Sequence, residues 1–174
     1  LDIPHAYQVR SVFASMMKKI FHRKSSAFKK WSKITMKILL GASFVVEKMT
    51  KLMNNVLVHC SNGWDRTSQV CSLSQLMIDS NYITLKGFIE LIQKDWIDMG
   101  HMFSSRCAYC KKNNYDEISP VFAMFIDAVA QLMNKYPTEF EFNLTFLEII
   151  LSNTYSQLFG DFIGNNYNER MQID

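Results

Sequence analysis

Apolar residues recur every three or four positions through most of the chain, and that period predicts helices. The first covers about residues 5–22 and stops at the polar break Arg23-Lys24-Ser25-Ser26. The second covers 27–49, with Trp31, Ile34, Ile38, Ala42, Val45 and Met49 on one face and Lys29, Lys30, Lys33 and Lys37 largely on others. From Thr67 onward, Val70, Leu73, Leu76 and Met77 return at helical spacing. Thr84 reads as the cap of a helix that runs to about Asp98, and Lys111 to Ser119 as a polar connection. Ser119-Pro120 is a helix-start signal; the stripe of Phe122, Phe125, Val129 and Leu132 that follows ends before Pro137. A last helix is expected over about 143–157, with Leu147, Ile150 and Leu151 inward. The exception to helical spacing is Asn55-Val56-Leu57-Val58-His59, a short, β-branched, apolar run that predicts a buried strand. No internal repeat or low-complexity segment interrupts the pattern.

Between that strand and the helix from Thr67 lies His59-Cys60-Ser61-Asn62-Gly63-Trp64-Asp65-Arg66-Thr67, which is Cys-x5-Arg. A strand-to-helix turn of this length places backbone N–H groups and the positive end of a helix dipole around one anion. The same field favours a thiolate at Cys60. Arg66 can grip two phosphate oxygens in a planar fork, and Gly63 allows the backbone to tighten. Those parts predict nucleophilic attack by Cys60 on phosphorus, a phosphocysteine, and its release by water. Bare Cys-x5-Arg spacing also arises by chance, and a cysteine after a strand is often only packing. The strand–loop–helix context and the identity of the loop residues separate the two readings.

Val58-His59-Cys60-Ser61-Asn62-Gly63-Trp64-Asp65-Arg66-Thr67-Ser68-Gln69 closely resembles the signature of the myotubularin phosphoinositide phosphatases. The likeness continues through Gly87-Phe88, Lys94-Asp95-Trp96-Ile97, Gly100-His101 and Phe103, then Ser119-Pro120-Val121-Phe122, Tyr136-Pro137 and Phe140-Glu141-Phe142-Asn143. The resemblance implies removal of the 3-phosphate from phosphatidylinositol 3-phosphate and phosphatidylinositol 3,5-bisphosphate. It implies Cys60 as nucleophile, Arg66 as phosphate clamp and Asp65 as general acid. Ser61, Asn62, Gly63, Trp64 and Thr67 line the bound phosphate in this reading, and Arg106 grips further phosphate on the headgroup. No metal or other cofactor is implied. Read from the residues alone, Asp65 equally suits a helix N-cap beside Thr67.

Two positions depart from the family pattern. Asn62 stands where the family has a loop aspartate, which removes a negative charge beside the phosphate. Met102 stands where a basic residue is usual, leaving Arg106 alone of that pair. A weaker preference for the bisphosphate is therefore expected. The fold implied is α/β but helix-dominated: a cysteine-phosphatase-like fragment, with strand, phosphate loop and helix present and most of the central sheet missing. Residues 1–174 read as one partial phosphatase domain, its C-terminal half, without the family's N-terminal lipid-binding domain.

Composition adds limits. At 174 residues and 48% hydrophobic content, the chain suits one domain with ample core. No apolar run reaches the roughly 18 residues of a membrane span, and no secretory signal pattern opens the chain. Cys60 must stay reduced to act, which points to the cytoplasm despite four cysteines. Cys107-Ala108-Tyr109-Cys110 lacks a second pair at zinc spacing, so with His101 nearby it still reads as loop. Charge is uneven: residues 1–51 hold eleven Lys/Arg against two Asp/Glu, the remainder eight against fourteen. The basic helix face suits an anionic membrane surface, or is simply solvated. Its charge also suits nucleic acid, but no such module is recognisable. The resemblance further implies peripheral association with endosomal membranes and assembly with copies or relatives of this chain. Two other functions stay open at this point. One is a protein phosphatase with the same thiolate chemistry; the other is a silent phosphoinositide-binding or scaffolding module.

Overall fold

The computed structural model describes residues 3–17, 26–107 and 117–172. Within them the basic amphipathic stretch forms the longest helix, α2 (Ser26–Thr50). It buries Trp31, Ile34, Ile38, Ala42 and Val45, as their spacing predicts, and exposes Lys29, Lys30 and Lys33. Met49 is 43% exposed instead, because the last turn of α2 runs past the core. The first predicted helix appears as α1 (Ala6–Met17), packed on α2 with Phe13 against Trp31 at 5.7 Å. The rest of that expectation, 18–22, lies outside the described residues, as do Arg23 to Ser25 and 111–116 of the polar connection.

The helix after the cysteine loop is α3 (Arg66–Ile78), which packs chiefly on α2 and also meets α6. Val70, Leu73 and Leu76 are buried, as expected, but so are Ser68, Gln69, Ser72 and Ser74. The Ser72 and Ser74 hydroxyls donate back to the carbonyls of Ser68 and Val70 at 2.7 Å, so these side chains need no water. Gln69 donates its amide to the Val121 carbonyl at 2.9 Å, tying α3 to the start of α6.

Thr84 caps α4 (Leu85–Ile92), its hydroxyl accepting the Gly87 N–H at 3.0 Å. A Cβ on Gly87 would lie 1.9 Å from the Asn81 carbonyl oxygen, so only glycine lets α4 approach the 3-10 turn Ser80–Ile83. The helix ends near Asp98 as expected, but Gln93–Asp98 is π-helical. Trp96, on that wider turn, sits at the centre of the core against Phe122 and Phe125, at 4.9 and 5.0 Å between rings. After the short α5 (Phe103–Arg106) comes α6 (Val121–Lys135), with Pro120 one place earlier than predicted, at the N-cap. Its predicted stripe buries Phe122, Phe125 and Val129. Asn143 caps α7 (Leu144–Ser156), accepting the Phe146 N–H at 3.1 Å, and Leu147 is buried. Single-turn α8 (Gly160–Ile163) and α9 (Tyr167–Arg170) were not predicted, since four residues carry no readable period.

The predicted strand is a correction. Residues 53–60 have no regular structure, and the described residues contain no strand. A strand is defined by hydrogen bonds to a neighbour, and among the described residues no second strand pairs with this run. Its side chains still alternate: Val56 and Val58 pack on the core while Leu57 between them is 88% exposed. The α/β expectation therefore gives way to a helix-dominated architecture among the described residues. None of their helices is long and apolar enough to cross a membrane.

Candidate active site

Cys60 is half-buried at the end of the irregular run, and residues 61–65 bend from it into the first turn of α3. Gly63 has φ +89°, with open space where a Cβ would lie, so backbone conformation alone calls for glycine. Its N–H donates to Cys60 Sγ at 3.2 Å. Burial opposes charge on the sulfur. The Thr67 hydroxyl and the amides of Thr67, Gly63 and Asn62 outweigh it and lower the thiol from 9.0 to about 7. The buried Thr67 hydroxyl has no full hydrogen bond of its own, yet it stands close enough to the sulfur to favour thiolate. Arg66 opens α3 and turns back across the loop, its Nη2 donating to Ser61 Oγ at 3.4 Å.

Asp65 occupies the N-cap position of α3, but its side chain makes no capping bond, so the capping alternative does not hold. The carboxylate points away from the helix. Arg106 donates to it from Nε at 3.2 Å and from Nη2 at 2.8 Å, and His101 Nδ1 lies 3.2 Å away. Burial alone would raise the pKa of this carboxyl. The bonds from His101 and then Arg106 prevail and hold it at about 2. Arg106 Nη1 also donates to the Glu117 carbonyl at 2.8 Å. Arg106 thus stands at the site, as expected, but in this geometry its fork is engaged by Asp65.

Cys60, Ser61, Asn62, Trp64, Asp65, Arg66 and Arg106 line one cavity of about 210 Å³. Gly63 and Thr67 support it from behind through the thiol. Sequence reasoning missed the opposite wall, which His5, Ala6 and Tyr7 supply from the start of α1, with Glu117 beside them. The Ser119 hydroxyl anchors that wall by donating to the Ala6 carbonyl at 2.6 Å. A larger cavity of about 490 Å³ lies toward the other end of α3, between Leu76, Leu132 and Tyr136, and no cysteine or arginine lines it.

In the sequence, His101 belongs to the run that carries the family resemblance and neighbours Cys107 and Cys110, with no role at the site read for it. Cys110 lies outside the described residues, and no group of three His, Cys, Asp or Glu among those described could hold a metal. His101 lies fully buried beneath the loop, with Nδ1 2.7 Å from the Trp64 carbonyl oxygen. Together these groups set a thiolate, a guanidinium at the helix start and a carboxylate around one anion-sized space. That set suits attack on a phosphate monoester.

The family model for the myotubularin-like phosphatase domain matches residues 2–171. The chain is 46% identical over 143 residues to the phosphatidylinositol-3,5-bisphosphate 3-phosphatase MTMR6 of Rattus norvegicus, covering 82% of this chain and 22% of that protein. It is 50% identical over 129 residues to myotubularin of Xenopus laevis, covering 74% and 21% respectively. With the phosphatidylinositol-3,5-bisphosphate 3-phosphatase MTMR8 of Homo sapiens it shares 44% identity over 138 residues, 79% of this chain and 20% of the relative. The chain thus spans about a fifth of the length of these relatives. The family model spans nearly the whole chain and these relatives share close to half of its matched residues, and the chain belongs to the myotubularin family of phosphatases.

Proposed function

We propose that this chain carries the catalytic loop of a phosphoinositide 3-phosphatase. Its substrate is phosphatidylinositol 3-phosphate, with phosphatidylinositol 3,5-bisphosphate turned over less well. Cys60 Sγ attacks phosphorus, the bond from phosphorus to the inositol oxygen breaks, and Asp65 gives its proton to that oxygen. Arg66 spans two non-bridging oxygens throughout. Water then attacks the phosphocysteine, returning a proton to Asp65 and releasing phosphate and thiolate. Held at about 2 by His101 and Arg106, Asp65 is a carboxylate before substrate binds. Incoming phosphate charge, and Arg106 turning from Asp65 to the headgroup, raise its pKa so that it can hold the proton. Met102 beside a single Arg106 underlies the weaker use of the bisphosphate. Comparable kcat/KM on the two lipids, with a strongly Arg106-dependent bisphosphate rate, would contradict that preference.

The observation that carries the reading is a thiol lowered to about 7 inside the loop that presents Arg66. The names of the relatives and the family match support the substrate class. The exposed lysines of α2 suit an anionic leaflet, consistent with a cytoplasmic protein working at endosomal membranes. The test is phosphate release from soluble short-chain phosphatidylinositol 3-phosphate by this chain and by its Cys60→Ser variant. Release lost in the variant supports the thiolate mechanism, and no release from a folded chain rejects this chain as an enzyme on its own. One observation favours a second reading, headgroup binding without turnover: Asp65 and Arg106 are bonded to each other in the empty site. Saturable headgroup binding with no phosphate released would select it.

A further inference from the structure

His101 is 0% exposed, and its surroundings fix which nitrogen carries the proton. The Trp64 carbonyl oxygen, 2.7 Å from Nδ1, can only accept, so Nδ1 carries a proton. The same N–H faces Asp65 Oδ1 at 3.2 Å, while Nε2 is buried and unpartnered. Trp96 and Phe103 meet the imidazole edge-on, at 4.8 and 4.7 Å with interplanar angles of 79° and 85°. The His101 N–H donates to the Trp96 carbonyl at 2.9 Å, so the backbone beneath the ring is held as well. The other charged or titratable groups around Asp65 are Arg106, bonded to it, and Cys60, Arg66, His5 and Glu117 along the shared cavity. Of all these, only His101 touches both the carboxylate and the loop backbone that carries it.

We infer that His101 is a positioning residue for Asp65: a single buried N–H, shared between the Trp64 carbonyl and the Asp65 carboxylate, sets the corner of the loop and the direction of its proton donor. The inference rests on the reading of Asp65 as general acid. Before the carboxyl can give its proton it must stay aimed when Arg106 moves to substrate, and His101 is the contact that remains. The ring is fully buried and packed edge-on against Trp96 and Phe103, which restrains it in this orientation.

The test compares two substrates. Short-chain phosphatidylinositol 3-phosphate has a poor leaving group that needs a proton, and para-nitrophenyl phosphate has a good one that does not. Asp65→Asn reads the acid itself. His101→Phe keeps ring volume without the donor, and His101→Asn restores a donor near the Nδ1 position. His101→Phe should lower kcat on the lipid by about 10- to 100-fold, short of the full value of a general acid, with less than about twofold change in the pre-steady-state burst of para-nitrophenol, the phosphocysteine-forming step that needs no acid. His101→Asn should recover most of that loss, without a matching change in KM. Equal losses on both substrates would mark His101 as packing only and overturn the inference. If Asp65→Asn itself shows no leaving-group dependence, the reading of the acid fails, and this inference falls with it. Should His101→Phe not fold, nitrogen NMR of the wild-type ring decides. An Nδ1–H signal that moves in Asp65→Asn is expected, and an Nε2–H tautomer overturns the inference.

Discussion

Replacing Arg106 with glutamine removes two of the three donors around Asp65 and leaves His101 as the third. Both partners are nearly enclosed, with side-chain exposures of 11% for Arg106 and 14% for Asp65, so the pair is not screened like a surface ion pair. Depression of the Asp65 pKa from 3.8 to about 2 corresponds to about 2 kcal/mol at roughly 1.4 kcal/mol per unit. A group whose folded pKa is lowered adds stability above its unfolded value and loses it as pH falls through the folded one. For Asp65 the contribution is complete above about pH 4 and disappears toward pH 2. Breaking a buried pair from one side costs about 3–5 kcal/mol when nothing replaces the partner. Here His101 still donates and the cavity admits water, so Arg106→Gln should cost about 2 kcal/mol at pH 7. The assay is urea unfolding of the 174-residue chain, followed by tryptophan fluorescence at pH 7, 4 and 2, for wild type, Arg106→Gln, Asp65→Asn and the double variant. The coupling energy between the two positions should reach about 1–3 kcal/mol. Stability lost between pH 4 and 2 should shrink in Asp65→Asn. Coupling below about 0.5 kcal/mol, or the same acid loss with and without Asp65, would refute the reasoning.

The Cys60 thiol, lowered to about 7, should alkylate with iodoacetamide along a pH curve whose midpoint lies near 7, and Thr67→Ala should move it upward. Site-resolved mass spectrometry separates it from Cys71, whose thiol burial pushes up, and a Cys60 midpoint near 9 would sink the claim. Gly87→Ala should cost about 1–3 kcal/mol by forcing α4 off the Asn81 carbonyl, read as a melting-temperature drop of about 4–10 °C. Thr84→Ala removes the cap of the same helix and should cost about 1 kcal/mol in urea unfolding, with little effect on the Cys60 alkylation midpoint.

Local features were legible in the sequence. The face of α2, the cap at Thr84, the start of α7 near Asn143 and the turn of Cys60 into α3 each depend on neighbours within one or two turns. Periodicity and capping chemistry record such neighbours directly. The strand at Asn55–His59 failed because strand formation depends on a partner segment, and composition cannot supply one. The buried serines of α3 were invisible for a related reason: hydropathy treats a hydroxyl as outward, while Ser72 and Ser74 satisfy theirs on their own helix. At the site, Cys60, Gly63 and Arg66 could be placed from spacing alone. Arg106 and His101 reach Asp65 across 41 and 36 residues of chain, and no local pattern announces a contact that π-helical Gln93–Asp98 and α5 must first arrange. Resemblance put Arg106 at the site, and only geometry showed what it holds there.

Because Ser68, Ser72 and Ser74 are small, and the Ser72 and Ser74 hydroxyls are hydrogen-bonded within the helix, α3 can be packed on nearly every side; the Ser74 hydroxyl also reaches the Ala42 carbonyl of α2 at 3.3 Å. Those positions are therefore limited by size and not by polarity. Alanine can take the place of a hydroxyl that serves only its own helix, whereas each added methylene must push two helices apart. The helix that carries Arg66 is in this sense closed to enlargement. Variation that tunes this site is channelled to its rim, where His5, Tyr7 and Glu117 meet the cavity from outside that packing.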